Sequence, residues 1–219
     1  MASKKIEWDN TGKRFYETGV RNGVLYIQNN TGGYDKGVAW NGLTSIQEKP
    51  SGAEANENYA DDINYLNLYS AEKFGATIEA FTYPDEFSKC DGSAEVETGV
   101  YIGQQNRSTF ALSYRTVLGN DVLGDDYGYK LHIIYGAKAA PSERQYSTIN
   151  DSPSAITFSW ELSTTPVVVP GYKPTSIFIL DSTKLDKTKM KKVEDKLYGT
   201  DTTDPTLPTP AELIALIKS

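Results

Sequence analysis

Apolar and polar residues alternate regularly in three segments of the second half of the chain. Successive side chains of a strand leave opposite faces of a sheet, so a period of two predicts half-buried strands. In the last segment single polar residues separate four large apolar ones, which are Ile156, Phe158, Trp160 and Leu162. The pattern predicts strands at residues 108–118, 128–139 and 155–164.

Shorter runs of the same kind predict further strands, bounded by turn residues such as Asn22-Gly23. They lie at residues 24–28, 38–46, 63–69, 75–83, 101–105 and 176–180. Residues 176–180 are apolar on both faces, which predicts a central strand. The predicted fold class is therefore mainly β.

A change of period predicts one amphipathic helix at residues 185–198. Met190, Val193 and Leu197 lie on one stripe of that helix, and charged residues face away from it. Gly199 follows as a C-terminal cap.

Three shorter helical segments are expected. Thr209 and Glu212 have capping-box spacing around a proline, which predicts a helix at residues 211–218. Pro84 is followed by two acids and predicts a short helix at residues 84–89. Residues 70–74 are compatible with a single helical turn.

These elements divide the chain into an N-terminal arm at residues 1–18, one β domain at residues 19–199 and a C-terminal linker with a short helix at residues 200–219. Residues 48–62 are rich in Pro, Gly, Glu and Asn, which indicates either a long loop or an extended hairpin. A long polar loop inside a compact domain is usually functional. We therefore expect this loop, or the N-terminal arm, to reach a neighbouring molecule and to become ordered there.

The composition is lean in apolar residues. They make up 38% of the 219 residues, and 15 of the residues are Tyr. Tyrosine combines apolar area with a polar tip, so its enrichment indicates either wet interfaces or the ordinary preference of strands for Tyr. The single cysteine excludes an intrachain disulfide and fits folding in a reducing cytoplasm. The sequence has no apolar run of membrane-spanning length and no secretory signal pattern.

The net charge of −7 is unevenly distributed. Residues 45–126 hold 15 acidic and 5 basic residues, net −10, and the remainder holds 14 acidic and 17 basic residues, net +3. Nucleic-acid affinity needs a basic surface, which this acidic segment does not provide.

Nothing in the sequence predicts catalysis. His132 is the only histidine, and alternation puts it beside Lys130, which predicts a surface residue. Cys90 lies among acids, which raise the pKa of a thiol rather than activate it. The acidic loop at residues 119–126 lacks the spacing of a calcium loop. We expect a protein that is not an enzyme and that has no cofactor and no metal site.

Several motifs, in one order along residues 19–181, resemble the major tail proteins of long-tailed bacteriophages. In chain order they are Gly37-Val-Ala-Trp-Asn-Gly-Leu, Tyr59-Ala-Asp, Gly75-Ala-Thr-Ile-Glu-Ala-Phe-Thr-Tyr-Pro-Asp-Glu-Phe, Gly103-Gln-Gln, Tyr114-Arg-Thr, Gly119-Asn-Asp, Tyr127-Gly-Tyr-Lys, Ala140-Pro-Ser-Glu and Ser147-Thr-Ile-Asn-Asp-Ser-Pro. No motif is diagnostic alone, but their number and order are hard to obtain by chance. Residues 1–18 and those after 181 match the family less well.

The resemblance implies a tail-tube type of β-sandwich or barrel with a flanking α-helix. It further implies a structural subunit that forms six-membered rings, which stack into a hollow tube conducting genomic DNA to the host cell. The implied partners are further copies of the chain, a tape measure protein in the lumen, and tail terminator and distal tail proteins at the ends. The implied location is the virion tail, built in the bacterial host cytoplasm. Many relatives end in an added immunoglobulin-like domain, for which this sequence leaves no room.

A lumen with few basic residues would let DNA slide, because basic residues bind phosphates with release of counterions. The acidic segment is the expected source of such a lining, with five first candidates: Asp85, Glu86, Asp91, Glu95 and Glu97. Their alternative role is solubility on the outer wall.

The alternative function is a binding module, a β-sandwich of a phage baseplate or adhesin that recognises a host surface. A glycan binder would cluster exposed tryptophans. Trp8, Trp40 and Trp160 are instead far apart in the sequence, and Trp160 lies on an apolar face. This spacing favours the tail tube.

Overall fold

The computed structural model describes residues 5–149, 151–152 and 154–218. The predicted mainly β class is confirmed. In chain order the strands are β1 (Phe15–Ile27), β2 (Val38–Trp40), β3 (Leu43–Glu48), β4 (Ala55–Ala60), β5 (Ile63–Tyr69), β6 (Gly75–Ala80), β7 (Ala94–Glu97), β8 (Val100–Ile102), β9 (Phe110–Asn120), β10 (Gly124–Ala139), β11 (Phe158–Thr164) and β12 (Ile177–Asp181). The helical segments are a 3₁₀ turn (Asp85–Phe87), α1 (Ser88–Asp91), α2 (Lys187–Tyr198) and α3 (Pro210–Lys218).

One antiparallel sheet forms the body of the protein, in the order β2-β1-β9-β10-β11-β6-β3, with β12 paired to β10. Its edge strands β2 and β3 are joined only by Asn41 and Gly42, so the sheet rolls until its two edges meet. Gly23 of β1 lies at this seam, where an added Cβ would stand 2.3 Å from Leu43 Cδ1. A larger residue at position 23 would require the Leu43 side chain to move and would crowd the Trp40 carbonyl oxygen, which lies 3.2 Å from that Cβ position.

β10 bends so that it can pair with two strands along one edge. Its residues 130–134 pair with β12, and its residues 137–139 pair with β11. Gly136 stands between these stretches with a φ of 61°, and a Cβ there would lie 2.4 Å from the Thr165 carbonyl oxygen. Glycine tolerates both the left-handed backbone and this close approach.

The interior of the rolled sheet is an aromatic core. Trp160 is completely buried and contacts the rings of Phe87 and Trp40, with centroids 5.0 and 5.8 Å away. Fully burying a large apolar side chain stabilises a fold by about 1.5–3 kcal/mol. Alternate residues of the strands supply the rest, among them Leu25, Ile78, Phe110, Leu112, Tyr114, Ile134 and Leu162.

The outer face of β1, β9, β10 and β12 is covered by α2 and α3. Met190, Val193 and Leu197 are buried there, as the helical stripe predicts. The predicted capping box is confirmed, because Thr209 N–H donates to Glu212 (2.8 Å) and Glu212 N–H donates to Thr209 Oγ1 (3.3 Å). Gly199 ends α2 with a φ of 77°.

β1 is much longer than the predicted strand at residues 24–28. It begins at Phe15, inside the expected N-terminal arm, of which residues 1–4 lie outside the described part of the chain. The predicted tight turn at Asn22-Gly23 is wrong. The register with β9 shifts between Arg21 and Val24, so these residues form an irregularity that keeps one long strand on the curved sheet.

Two further predictions are wrong. β12 is not central, since it pairs only with β10. Its second apolar face leaves Ile179 half exposed, whereas Leu180 packs under the helices. The helical turn suggested at residues 70–74 is extended chain, where Lys73 and Ser51 exchange backbone hydrogen bonds of 2.7 and 2.8 Å.

The segment at residues 48–62 resolves into the second of its two alternatives. It supplies β4, which pairs with the predicted strand Ile63–Tyr69 in a two-stranded hairpin that belongs to no larger sheet. We call residues 51–73 the arm, as distinct from the expected N-terminal arm at residues 1–18. A second isolated hairpin, β7–β8, is called the small hairpin.

Candidate assembly surfaces

One end of the rolled sheet is closed by residues 84–91, which we call the plug. Phe87 and Cys90 of the plug are fully buried in the interior core. Phe87 meets the ring of Phe110, the first residue of β9, at 5.4 Å. The sequence predicted a short helix here, and the 3₁₀ turn followed by α1 confirms it. The plug also places Asp91 among the polar side chains at this end of the sheet.

Asp91, the last residue of the plug, is a buried carboxylate. Trp160 Nε1 donates to its Oδ1 (3.0 Å), and the Arg144 guanidinium contacts its Oδ2. Arg107 stands 3.7 Å from Oδ1. Asp91 was expected among the surface acids of a lumen. That placement is corrected, because its charge is balanced by arginines inside the subunit.

The other four candidate acids are exposed around this same end. Asp85 and Glu86 lie in the 3₁₀ turn, and Glu95 and Glu97 lie in the small hairpin. The negative charges of Glu95, first, and of Asp85 raise the pKa of Tyr101. These two acids therefore belong to one surface. That this surface lines a lumen stays a prediction.

The small hairpin exposes apolar side chains that the subunit does not cover. Val96, Val100, Tyr101 and Ile102 are each about half exposed or more. A two-stranded hairpin is at best marginally stable alone in water, and the unpaired edge of a strand can pair with another chain. This surface is a candidate contact with a partner.

The arm is the larger of the two projecting hairpins, and it is apolar on both faces. Leu68 is 58% exposed and Tyr65 is 67% exposed on the opposite face. Four more large side chains of the arm are exposed, namely Tyr59, Ile63, Leu66 and Tyr69. Apolar side chains clustered in this way on a polar chain mark an interaction surface.

The base of the arm is fastened to the sheet by His132, which is 6% exposed. The prediction of a surface histidine is wrong. His132 Nδ1 lies 3.0 Å from a carboxylate oxygen of Glu48, the last residue of β3, which leads into the arm, and its ring stacks on Tyr114 at 4.7 Å. Alternation placed His132 correctly on the face of Lys130, but that face is the interior of the rolled sheet.

The imidazole of His132 stands between the carboxylates of Glu48 and Glu17. Its Nε2 lies 3.1 Å from the Thr116 hydroxyl, which itself donates to Glu17 (2.5 Å). Lys130 pairs with the same Glu17 carboxylate. Sequence alone gave no signal for these contacts, because the partners are far apart in the chain.

The pKa of Glu48 is lowered, chiefly by the hydrogen bond from His132. Burial opposes this effect, and a hydrogen bond from the Tyr114 hydroxyl (2.7 Å) adds to it. Burial, followed by the same hydrogen bond, raises the pKa of Tyr114, which remains a neutral donor. The cluster is thus a structural tie between the arm and the sheet.

Cys90 is not an activated nucleophile. Burial raises the pKa of its thiol to about 12, and the charge of Asp91 adds to the effect. The predicted direction is confirmed, although burial and not the acidic neighbourhood is the main cause. Among the residues with defined positions, no three His, Cys, Asp or Glu side chains converge as a metal site. None of the helices in that part of the chain is long and apolar enough to cross a membrane.

Comparisons with known proteins find likenesses among solved structures. No family model and no curated protein matches the sequence. Among solved structures, a chain of the anti-feeding prophage baseplate is 12% identical over 82% of this chain and 100% of that chain, with a TM-score of 0.36. A chain of the sheath–tube complex of an extracellular contractile injection system, in its extended state, is 11% identical over 80% of this chain and 94% of that chain, with a TM-score of 0.32.

The lowered pKa of Glu48 predicts a pH-dependent contribution to stability. A carboxylate with a depressed folded-state pKa stabilises the fold above its unfolded pKa of about 4.3, and this contribution is lost as the pH falls through the folded value. We expect Glu48→Gln to be less stable than the wild type above about pH 5, with a difference that shrinks below about pH 4. Urea unfolding of both proteins, at pH values from below about 4 to above about 5, measures this difference in the free energy of unfolding.

The matched control is Glu54→Gln, an exposed acid six residues further along the chain. Its stability difference from the wild type should be small and nearly independent of pH, as for most surface substitutions. A Glu48→Gln difference that is equally flat with pH would show that the tie to His132 does not contribute.

Proposed function

We propose that the protein is the subunit of a phage tail tube. Copies associate side by side into six-membered rings, and the rings stack into a hollow tube that conducts genomic DNA to the host cell. The lumen holds a tape measure protein before DNA passes, and tail terminator and distal tail proteins close the ends. The mature location is the virion tail. The proposal is based on the family resemblance of the motifs along residues 19–181. The apolar surface of the exposed hairpins gives a physical reason for self-association.

The single observation that carries the proposal is the pair of apolar hairpins that project from a closed core. The rolled sheet completes its own core without the apolar side chains of the arm and of the small hairpin, which stay exposed in the single chain. Keeping them exposed is unfavourable by about 25 cal/mol for each Å² of apolar surface. Contact with further copies of the chain removes this cost.

A third exposed apolar surface supports association at the arm end. Phe15 packs on Tyr127 with ring centroids 5.1 Å apart, and Val122 and Leu123 lie exposed on the β9–β10 turn. Trp8 of the N-terminal segment is 76% exposed. Exposed apolar groups thus occur at both ends of the rolled sheet, as axial stacking of identical subunits requires.

The alternative function, a baseplate or adhesin module that recognises a host surface, has less support. A glycan site needs grouped, accessible aromatic rings, but Trp40 and Trp160 are buried in the interior core. Trp40 Nε1 donates to the Thr82 carbonyl (3.0 Å), and Trp160 Nε1 donates to Asp91. Both tryptophans therefore serve the fold.

The proposal predicts concentration-dependent assembly of the purified protein. Light scattering should show species larger than the monomer, and negative-stain microscopy should show six-fold rings or tubes. A protein that stays monomeric at high concentration, with no rings after seeding by tail initiator proteins, would contradict the proposal. Single particles that bind a host cell surface without self-association would favour the adhesin.

The arm predicts the site where assembly is most sensitive. Leu66→Thr combined with Leu68→Thr removes apolar area but keeps a residue type that favours strands. These side chains are exposed in the subunit, so its stability should change little. The critical concentration for assembly should rise at least about tenfold, because each buried leucine contributes about 1.5–3 kcal/mol.

The control for the arm is Asn56→Thr combined with Asn58→Thr. These residues lie directly opposite Leu68 and Leu66 in the hairpin and are polar already. They should leave the critical concentration close to that of the wild type. Equal assembly by both double variants would remove the arm from the mechanism.

The exposed acids of the plug end predict an effect on DNA passage. Replacing Asp85 and Glu86, the two exposed acids of the plug outside the small hairpin, by Lys should leave assembly largely intact and slow the release of DNA, because lysines in a lumen would hold phosphates. The delay should be greatest near 10 mM salt, where charges act over about 30 Å rather than about 8 Å. DNA release from purified particles measures it.

A matched charge change elsewhere tests the position. Asp35 and Asp201 are exposed acids outside the plug, the small hairpin and the arm. Their replacement by Lys should not slow release. Equal release rates for both double variants would place the plug acids on the outer wall, where they serve solubility only.

A further inference from the structure

Residues 141–149, which follow β10, lie over the plug end, and we call them the strap. Seven of these nine residues are exposed, and Ser142 and Arg144 are partly buried. Arg144 ties the strap to the plug through the carboxylate of Asp91. This contact anchors the strap.

Arg144 occupies a socket formed by Asp91, Tyr83 and Phe158. The Trp160 indole fixes one carboxylate oxygen of Asp91, so the other is turned toward the guanidinium. The Arg144 guanidinium carbon lies 5.6 Å from the ring centroids of both Tyr83 and Phe158. A buried carboxylate between aromatic faces suits a planar guanidinium better than an ammonium group.

A second arginine would still balance the charge of Asp91 if Arg144 left the socket. Arg107 stands 3.7 Å from Asp91, and its position is set by contacts of 3.4 Å to the carbonyl oxygens of Ala139 and Ala140. A buried charge left without a partner is strongly destabilising. Arg107 keeps Asp91 balanced, so the socket can stand open without unfolding the plug end.

The socket borders a surface that the proposed function places in contact with other copies. Asp91, Tyr83 and Arg144 line one groove of about 440 Å³ together with Asp85 and with Tyr101 of the small hairpin. Tyr146 and Ile149 of the strap are themselves exposed apolar side chains. In an assembly of identical copies, a neighbour that docks with its strap against this groove presents the same arginine to the socket.

We infer that the socket takes Arg144 of the same chain in the free subunit and Arg144 of a second copy in the assembly. The inference rests on the proposed self-association. The contact is chemically the same in both arrangements, so exchange requires only that the strap be released and that the neighbour be in reach. Arg144 follows Ala139, the last residue of β10, by five positions, so the end of the neighbouring β10 must lie within about 18 Å of the place that the Arg144 backbone occupies at the socket.

Complementation between two variants tests the exchange. Arg144→Ala leaves an intact socket without its arginine, and Asp91→Asn leaves an intact strap without its carboxylate. Each variant alone should assemble poorly, whereas an equimolar mixture should recover a substantial part of wild-type assembly, because the strap of one fits the socket of the other.

Gln145→Ala, which changes an exposed neighbour of Arg144, should assemble like the wild type. Assembly of both single variants at the wild-type level, or a mixture no better than its parts, would overturn the inference.

A peptide experiment decides the question if Asp91→Asn fails to fold. The Arg144→Ala protein is titrated with a peptide of residues 140–149 and with the same peptide carrying alanine at position 144, and Trp fluorescence is followed. The arginine peptide should bind at least about tenfold more tightly, as expected for one charge-assisted contact. Equal affinities would overturn the inference. A wild-type protein that remains monomeric would instead refute the proposed function, and the peptide result would still show whether the socket accepts a strap in trans.

Discussion

The closure of one sheet on itself is the constraint on which the rest of the structure depends. Two consecutive strands occupy the two edges, and a connection of only Asn41 and Gly42 forces those edges together. At the seam Gly23 packs directly against the Leu43 side chain. The interior enclosed in this way is filled by aromatic rings around Trp160. The rolled sheet thus completes its own core.

Closure also explains where the buried charges lie. Side chains that point into a rolled sheet near its ends meet polar backbone and solvent rather than more core, so ion pairs gather there. Asp91 with two arginines marks the plug end, and His132 between Glu17 and Glu48 marks the arm end. The first cluster holds the strap against the plug, and the second holds the end of β3, from which the arm extends, against β9 and β10.

Much of the fold follows from the periodicity of the sequence. The stripe of Met190, Val193 and Leu197 gave the packing of α2, and the spacing of Thr209 and Glu212 gave the start of α3. Alternation could not show which face of a strand is enclosed, and that is why His132 was misplaced. Asp91 was misplaced because its partners lie on distant segments. The strong local turn signal at Asn22-Gly23 was overridden by the pairing of β1 with β9. The tyrosines divide between the two interpretations, with Tyr114 in the core and Tyr65 on the arm.

Hydrogen exchange in the free and the assembled protein tests the central claim most directly, namely that the hairpins exist to be buried by other copies. The amides of β9 and β10 lie inside the sheet and should exchange slowly in both states. The amides of the arm and of the small hairpin should exchange at least about tenfold more slowly after assembly, since local opening then requires breaking an interface. The account would be contradicted by an assembly in which the hairpins exchange as fast as in the monomer while the outer faces of α2 and α3 become protected.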